Sequence, residues 1–177
     1  FELSVAPGPE KAVTIRLVPP AGLAEACLGR AAAGECVLWI RNTVAEAQES
    51  YRLLKGASVV GGPEIGLLHA RHPLFRREHL EEHWMSALGK DPACRPVGGC
   101  VLVSTQVVEQ SVDIDADLLV TDLAPTDMLL QRIGRLWRHE RNRPPGAECQ
   151  AWISIPEGDF RERATAAEIK EALGASA

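Results

Sequence analysis

No apolar run in this 177-residue sequence approaches the roughly 20 residues needed to cross a bilayer. The first residues also lack the basic, apolar and small-residue order of a secretory leader. Cysteine is sparse and scattered: Cys27, Cys36, Cys94, Cys100 and Cys149 form no CxxC pair. That argues against a disulfide framework or a zinc ribbon and fits a reduced, cytoplasmic protein in which cysteine serves as a small hydrophobe. Positive charge is not in excess. A net charge of −5 argues against a domain that holds nucleic acid by its overall field. The chain contains neither a GxxxxGK[ST] phosphate loop nor an acidic DExD/H box, and it has no internal repeat or low-complexity tract. It opens at Phe1 rather than Met, which suggests a piece of a longer protein.

What remains is an ordinary globular composition, 46% apolar and 24% charged, with enough chain to bury one core. Apolar runs alternate with helical patterns. The runs at 13–18, 36–40, 65–69, 101–104, 118–121 and 151–155 read as strands. Helices are expected at 21–33, 43–56, 73–89 and 128–138, and 91–99 is a Pro- and Gly-rich loop. Thr43 followed by Glu46 has the spacing of a capping box, and Ala47, Tyr51 and Leu54 share one face of the helix it opens. Leu80, Trp84 and Leu88 stand four apart on the next. The rhythm predicts an α/β fold, a mostly parallel sheet with helices on both faces and ligand-binding loops at the carboxyl ends of its strands.

Two stretches carry chemistry. The first is QRIGRLWR at 131–138, where a helix would place Gln131, Arg135 and Arg138 on one face at i, i+4 and i+7. Leu129, Ile133 and Leu136 would dock on the sheet from another face, and Gly134 would allow close approach beside Arg135. Two outward guanidinium groups on a rigid helix suit phosphate oxygens. Charge clusters here too: Arg132, Arg135, Arg138, Arg141 and Arg143 face the single acid Glu140, which marks a candidate groove or anion site. The second stretch is STQVVEQSVDID at 104–115, a strand end followed by a polar loop bearing Thr105, Glu109, Ser111 and Asp113. Hydroxyl and backbone N–H groups there can hold a phosphate, and Asp113 can accept from a ribose hydroxyl. A self-satisfied Asx/Ser turn accounts for the same residues.

Together these stretches resemble motifs V and VI of superfamily 2 helicases. The wording EQSVDID and VTDLAPTDMLLQRIGRLWRH is closest to the CRISPR-associated helicase–nuclease of type I systems. VLWIRNT at 37–43 resembles that family's motif IV, and LLHAR at 67–71 its next, DNA-contacting motif. The resemblance implies a RecA-like fold of the P-loop NTPase type over residues 1–156, with 157–177 an acidic helix or linker. It implies that Arg135 and Arg138 act as arginine fingers on the ATP γ-phosphate, with Gln131 ordering the site. Asp113 and Gly134 would belong to the same nucleotide site. Asn42, Thr43, His69, Arg71, Thr105 and Gln106 would contact the single-stranded DNA backbone. Mg-ATP would be held mainly by a first motor domain of the same parent, which supplies the missing phosphate loop and acidic box. A nuclease domain and an RNA-guided surveillance complex would be further partners in degrading invader DNA. Ser111 stands where many superfamily 2 helicases have Gly, and His72 where a Phe is expected.

Three alternatives stay open. One is a different superfamily 2 DNA or RNA helicase, and another a non-catalytic helicase-like module that binds a partner protein. The third rests on His79-Leu-Glu-Glu-His83, which fits an inverted zincin pattern and puts both imidazoles on one helix face. No third ligand stands out, so no metal site is expected.

Overall fold

The computed structural model describes residues 12–109 and 113–155. Six strands form one all-parallel sheet in the order β1-β6-β5-β2-β4-β3. They are β1 (Thr14–Val18), β2 (Cys36–Ile40), β3 (Glu64–Leu68), β4 (Cys100–Ser104), β5 (Leu118–Asp122) and β6 (Gln150–Ser154). The helices are α1 (Leu23–Ala32), α2 (Val44–Ala57), α3 (Leu74–Ala87) and α4 (Thr126–Ile133). Each expected strand is present. The proposed division near residue 156, the segment 157–177 and Ser111 lie outside the described residues.

The central strands are apolar on both faces because helices cover both. Alternate residues of β2 enter opposite cores. Leu38 and Ile40 join Trp84, Leu88, Leu102, Ile114, Leu119 and Leu136 on one side. Val37 and Trp39 join Leu23, Cys27, Ala47, Leu54, Val103 and Val120 on the other. Burial pushes the Cys27 thiol up to about 12, so it stays protonated and acts as a small hydrophobe. The capping box at Thr43 forms as its spacing predicts: the hydroxyl accepts from the Glu46 backbone N–H, and the Glu46 carboxylate returns to the Thr43 N–H.

The last expected helix departs from its prediction. It was expected over 128–138, but α4 stops at Ile133, so Gln131, Arg135 and Arg138 do not share a helical face. Gly134 caps it, and the next amides reach back only three residues, Arg135 N–H to Arg132 O at 2.9 Å and Leu136 N–H to Ile133 O at 3.0 Å. The chain then leaves the helix altogether. Leu136 pairs with Ala116 in a one-residue parallel bridge, and Trp137 adopts φ 48°. Leu136 is buried, as helical periodicity would require, but it reaches the core through this bridge. The pattern was therefore compatible with a helix while the competing backbone partner lay in a distant segment. Smaller differences are a 3-10 turn at Pro92–Cys94 inside the expected loop and another at Gln106–Glu109.

Packing is tight where β3 meets α3. A Cβ built on Gly66 would clash with the indole of Trp84, which is buried. Gly66→Ala should therefore lower stability by about 1–3 kcal/mol or more, because neither the strand nor the ring has room to give. Thermal or urea unfolding of purified protein would measure this, and an unchanged midpoint would show that the ring can move.

Candidate nucleotide and nucleic-acid sites

Because β5, β2, β4 and β3 are parallel neighbours, their carboxyl ends meet at one edge, and the loops leaving them are bonded to one another. The Arg41 N–H donates to Ser104 O at 2.8 Å, and the Thr105 N–H to Leu68 O at 3.3 Å. Asn42 donates its backbone N–H to the Asp122 carboxylate and its amide to Leu123 O, both at 2.8 Å. Gln106 donates to Asn42 O at 3.4 Å. The topology thus brings all six expected nucleic-acid residues to this edge: Asn42 and Thr43 after β2, His69 and Arg71 after β3, Thr105 and Gln106 after β4. Asn42, Thr43, Arg71 and Gln106 are exposed, whereas His69 and Thr105 are each 3% exposed and back the surface from beneath.

His69 stacks flat on His72, ring centres 3.9 Å apart and 4° from parallel, while its Nε2 lies 3.4 Å from the Gln48 amide. His72 turns its own Nε2 to Leu67 O at 3.2 Å, so the residue standing in place of a Phe still supplies a flat ring. Desolvation by burial lowers the His69 pKa, and the neighbouring His72 and Arg71 lower it further.

Sequence reasoning counted Arg132 only as one member of the basic cluster. Its side chain is wholly buried, and Nη1 donates to Thr121 Oγ1 at 2.7 Å and to Asn42 Oδ1 at 3.1 Å. It ties α4 to the loop after β2. Beside it Arg41 spans Asp122 at 2.9 Å and Ser50 at 2.6 Å. Nothing in a linear pattern separates such an arginine from a solvated one; only the alignment of Thr121 and Asn42 across the sheet does.

The second expected group gathers elsewhere, beside the residues that lead into β5. The Ala116 N–H donates to Arg135 O and the Trp137 N–H to Ala116 O, both at 2.9 Å. The Arg138 N–H donates to Asp115 Oδ1 at 2.8 Å. Asp113 stands two residues ahead of Asp115, exposed, its Oδ1 3.9 Å from His139 Nε2. Asp113, Gly134, Arg135 and Arg138 are therefore brought to one place. Gln131 is exposed on the last turn of α4. The expected open field of five arginines does not form, because three of them face inward. Besides Arg132, the side chains of Arg141 and Arg143 are each 7% exposed and paired with Asp115, and Arg143 also with Asp117. Two buried carboxylates need counter-charges, and these arginines supply them.

Residues 33–141 match the family model described as CRISPR-associated nuclease/helicase Cas3, C-terminal. The chain belongs to this Cas3 C-terminal family. It is 41% identical over 153 residues to the CRISPR-associated endonuclease/helicase Cas3 of Escherichia coli K12, covering 85% of this chain and 17% of that protein. With Thermus thermophilus Cas3 it shares 45% over 109 residues, 58% of this chain and 12% of the relative. The T. fusca Cas3–AMPPNP structure superposes with a TM-score of 0.80 at 38% identity, over 89% of this chain and 19% of that one. A CRISPR RNA-guided surveillance complex in a pre-nicking state contains a chain matching at TM-score 0.76 and 35% identity, over 93% of this chain and 21% of that one. The C-terminal domain of the DEAD-box protein Dbp5 matches at 0.56 and 17% identity, over 93% of this chain and 86% of that one, which speaks to the fold alone. The fold is therefore the RecA-like one of Cas3 and DEAD-box C-terminal domains, and the chain spans about a fifth or less of the Cas3 proteins it matches.

Of the His79/His83 pair, His83 has a structural partner: its Nε2 meets Glu64 Oε1 at 2.8 Å. No group of three His, Cys, Asp or Glu side chains converges among the described residues, and no helix there is long and apolar enough to cross a membrane.

The lowered pKa of His69 makes stability depend on pH. Unfolded, this imidazole takes up a proton near its ordinary 6.5, whereas the folded state resists it to lower pH. The unfolded chain therefore binds more protons in that window, and stability falls as pH drops below about 6.5 until the folded form also titrates. His69→Asn should flatten the pH dependence of unfolding there; equal slopes in the two proteins would show that His69 titrates alike in both states.

Proposed function

We propose that this chain is the second motor domain of an ATP-driven, single-stranded-DNA translocase acting in CRISPR interference. The observation that supports the reading is the clamped turn at 134–138, which ties the backbone of Arg135 and Arg138 to Ala116 and Asp115, two to three residues after Asp113. The residues fit the outer half of a nucleotide site. They offer fixed cations for phosphate oxygens, and a carboxylate for a ribose hydroxyl, without a phosphate loop of their own. Support comes also from T. fusca Cas3, whose structures were obtained with AMPPNP, ATP and ADP.

In this reading Mg-ATP, held by a first motor domain of the same parent, supplies the γ-phosphoryl group whose transfer to water drives the cycle. When the inter-domain cleft closes, Arg135 and Arg138 reach the γ-phosphate and stabilise charge as it spreads over the equatorial oxygens. Their guanidinium groups act electrostatically, as fixed forks of N–H donors. Gln131 orders the same site, and Asp113 accepts from the ribose. The carboxyl-edge loops take the DNA. Arg71, Asn42, Thr43 and Gln106 make phosphate contacts, with His69 and Thr105 setting the shape beneath them. With a net charge of −5, grip must come from these local groups, and backbone contacts carry no base sequence. Asn42 and Arg132 link the two sites physically, since Asn42 lies in the DNA loop and accepts from an arginine of α4. A nuclease domain and an RNA-guided surveillance complex complete the proposed assembly.

Arg135→Ala and Arg138→Ala in the complete protein should each lower DNA-stimulated ATP turnover by roughly 10³–10⁵ while nucleotide binding largely persists. That loss corresponds to about 4–7 kcal/mol of barrier. Near-wild-type turnover in both variants would overturn the reading. The isolated chain should show no ATP hydrolysis, and measurable turnover by it would show a self-contained site.

A further inference from the structure

The two arginine residues assigned above as fingers are not held by a helix, so something else must fix their position. Their backbone is bound to a three-residue stretch, Asp115-Ala116-Asp117. Ala116 makes the bridge to Arg135 O and Trp137 N–H, and the Trp137 indole N–H donates to Asp117 O at 2.9 Å. The decisive contact is the Asp115 carboxylate. Fully buried, it accepts the Arg138 backbone N–H at 2.8 Å through Oδ1. Both its oxygens receive Arg143 Nη2, at 2.9 and 3.0 Å, and Oδ2 lies 2.7 Å from Arg141 Nε. Its own N–H is anchored to Leu88 O at the end of α3, at 2.8 Å. The anchor is fixed from below as well, where Arg95 holds Asp115 O at 2.9 Å and Asp117 Oδ2 at 2.6 Å.

Resting on the motor reading, we infer that Asp115 is a positioning residue for catalysis. Its carboxylate sets where Arg138 projects, and the Arg141 and Arg143 guanidinium groups hold that carboxylate in place. Asp115 touches no phosphate. It acts by fixing the turn at Trp137, whose φ of 48° is costly for a non-glycine residue and persists only when bonds on both sides enforce it. The arginine side chains then meet developing charge without reorganising, the condition under which electrostatic stabilisation is largest.

The test is a double-mutant cycle on DNA-stimulated ATP turnover in the complete protein, comparing Asp115→Asn, Arg138→Ala and the pair. Asp115→Asn should lower kcat by roughly 10–100-fold with the KM for ATP and ADP affinity near wild type, since a misplaced finger weakens only transition-state contacts. In the Arg138→Ala background it should cost little more. Losses that multiply in the double variant would overturn the inference, as would a kcat for Asp115→Asn equal to wild type. Arg143→Lys keeps the charge of the cluster but loses the two-oxygen contact, and it serves where Asp115→Asn does not fold. It should give the same kcat-only loss and the same non-additivity, and wild-type turnover in it would likewise overturn the inference. If Arg138→Ala and Arg135→Ala leave turnover intact, the motor reading itself fails; if they abolish it while Asp115→Asn does not, only this inference fails.

Discussion

Two carboxylates without solvent access, Asp115 and Asp117, lie against three guanidinium groups, those of Arg95, Arg141 and Arg143, at the amino end of β5. Burying such charges is costly, and attraction offsets the cost only when nearly every oxygen finds a donor. Here the donors are found. Asp117 accepts the Cys36 N–H at 2.8 Å in addition to Arg95 and Arg143, and Arg143 also lies over the Trp137 ring at 5.0 Å. The cluster therefore adds specificity more than stability. It joins the start of β2, the loop after α3, the lead into β5 and the turn after α4 in one geometry, and removing any single partner would strand a buried charge.

That junction decides how the rest of the domain is laid out. Because the turn at 134–138 is bound to Ala116, α4 is limited to the span between the end of β5 and this anchor, and ends at Ile133. The backbone of Arg135 and Arg138 is then fixed relative to the sheet. At the opposite edge, the loops after β2, β3 and β4 are stitched edge to edge by backbone and amide bonds. Arg132 connects the two regions through Thr121 and Asn42. A displacement of α4 would therefore be felt at both, as the proposed coupling of nucleotide state to DNA grip requires.

Much of this was legible in the sequence. All the strands and the first three helices follow from hydrophobic period, and the helix start at Thr43 from the capping box. The strands are short, apolar and separated by helical patterns, and such segments must be buried on both faces of a parallel sheet. The motif residues fell into two groups by resemblance; the sheet order brings the loop residues of one to a single edge, while Asp113, Gly134, Arg135 and Arg138 gather apart from them at the turn after α4. What failed was the end of α4 and the fate of the basic cluster. Both depend on partners that the local pattern does not contain.

The sequence by itself determined the α/β class, the six strands, the Thr43 cap and the family, because period, capping chemistry and motif spacing are properties of neighbouring residues. Only tertiary structure decided where Arg135 and Arg138 sit, and that Arg132, Arg141 and Arg143 point inward. A backbone amide or a guanidinium takes whichever acceptor lies nearest in space. For Arg138 that acceptor is Asp115, 23 residues away along the chain. Burial then makes the choice binding, because a charge removed from water must keep the partner it has found.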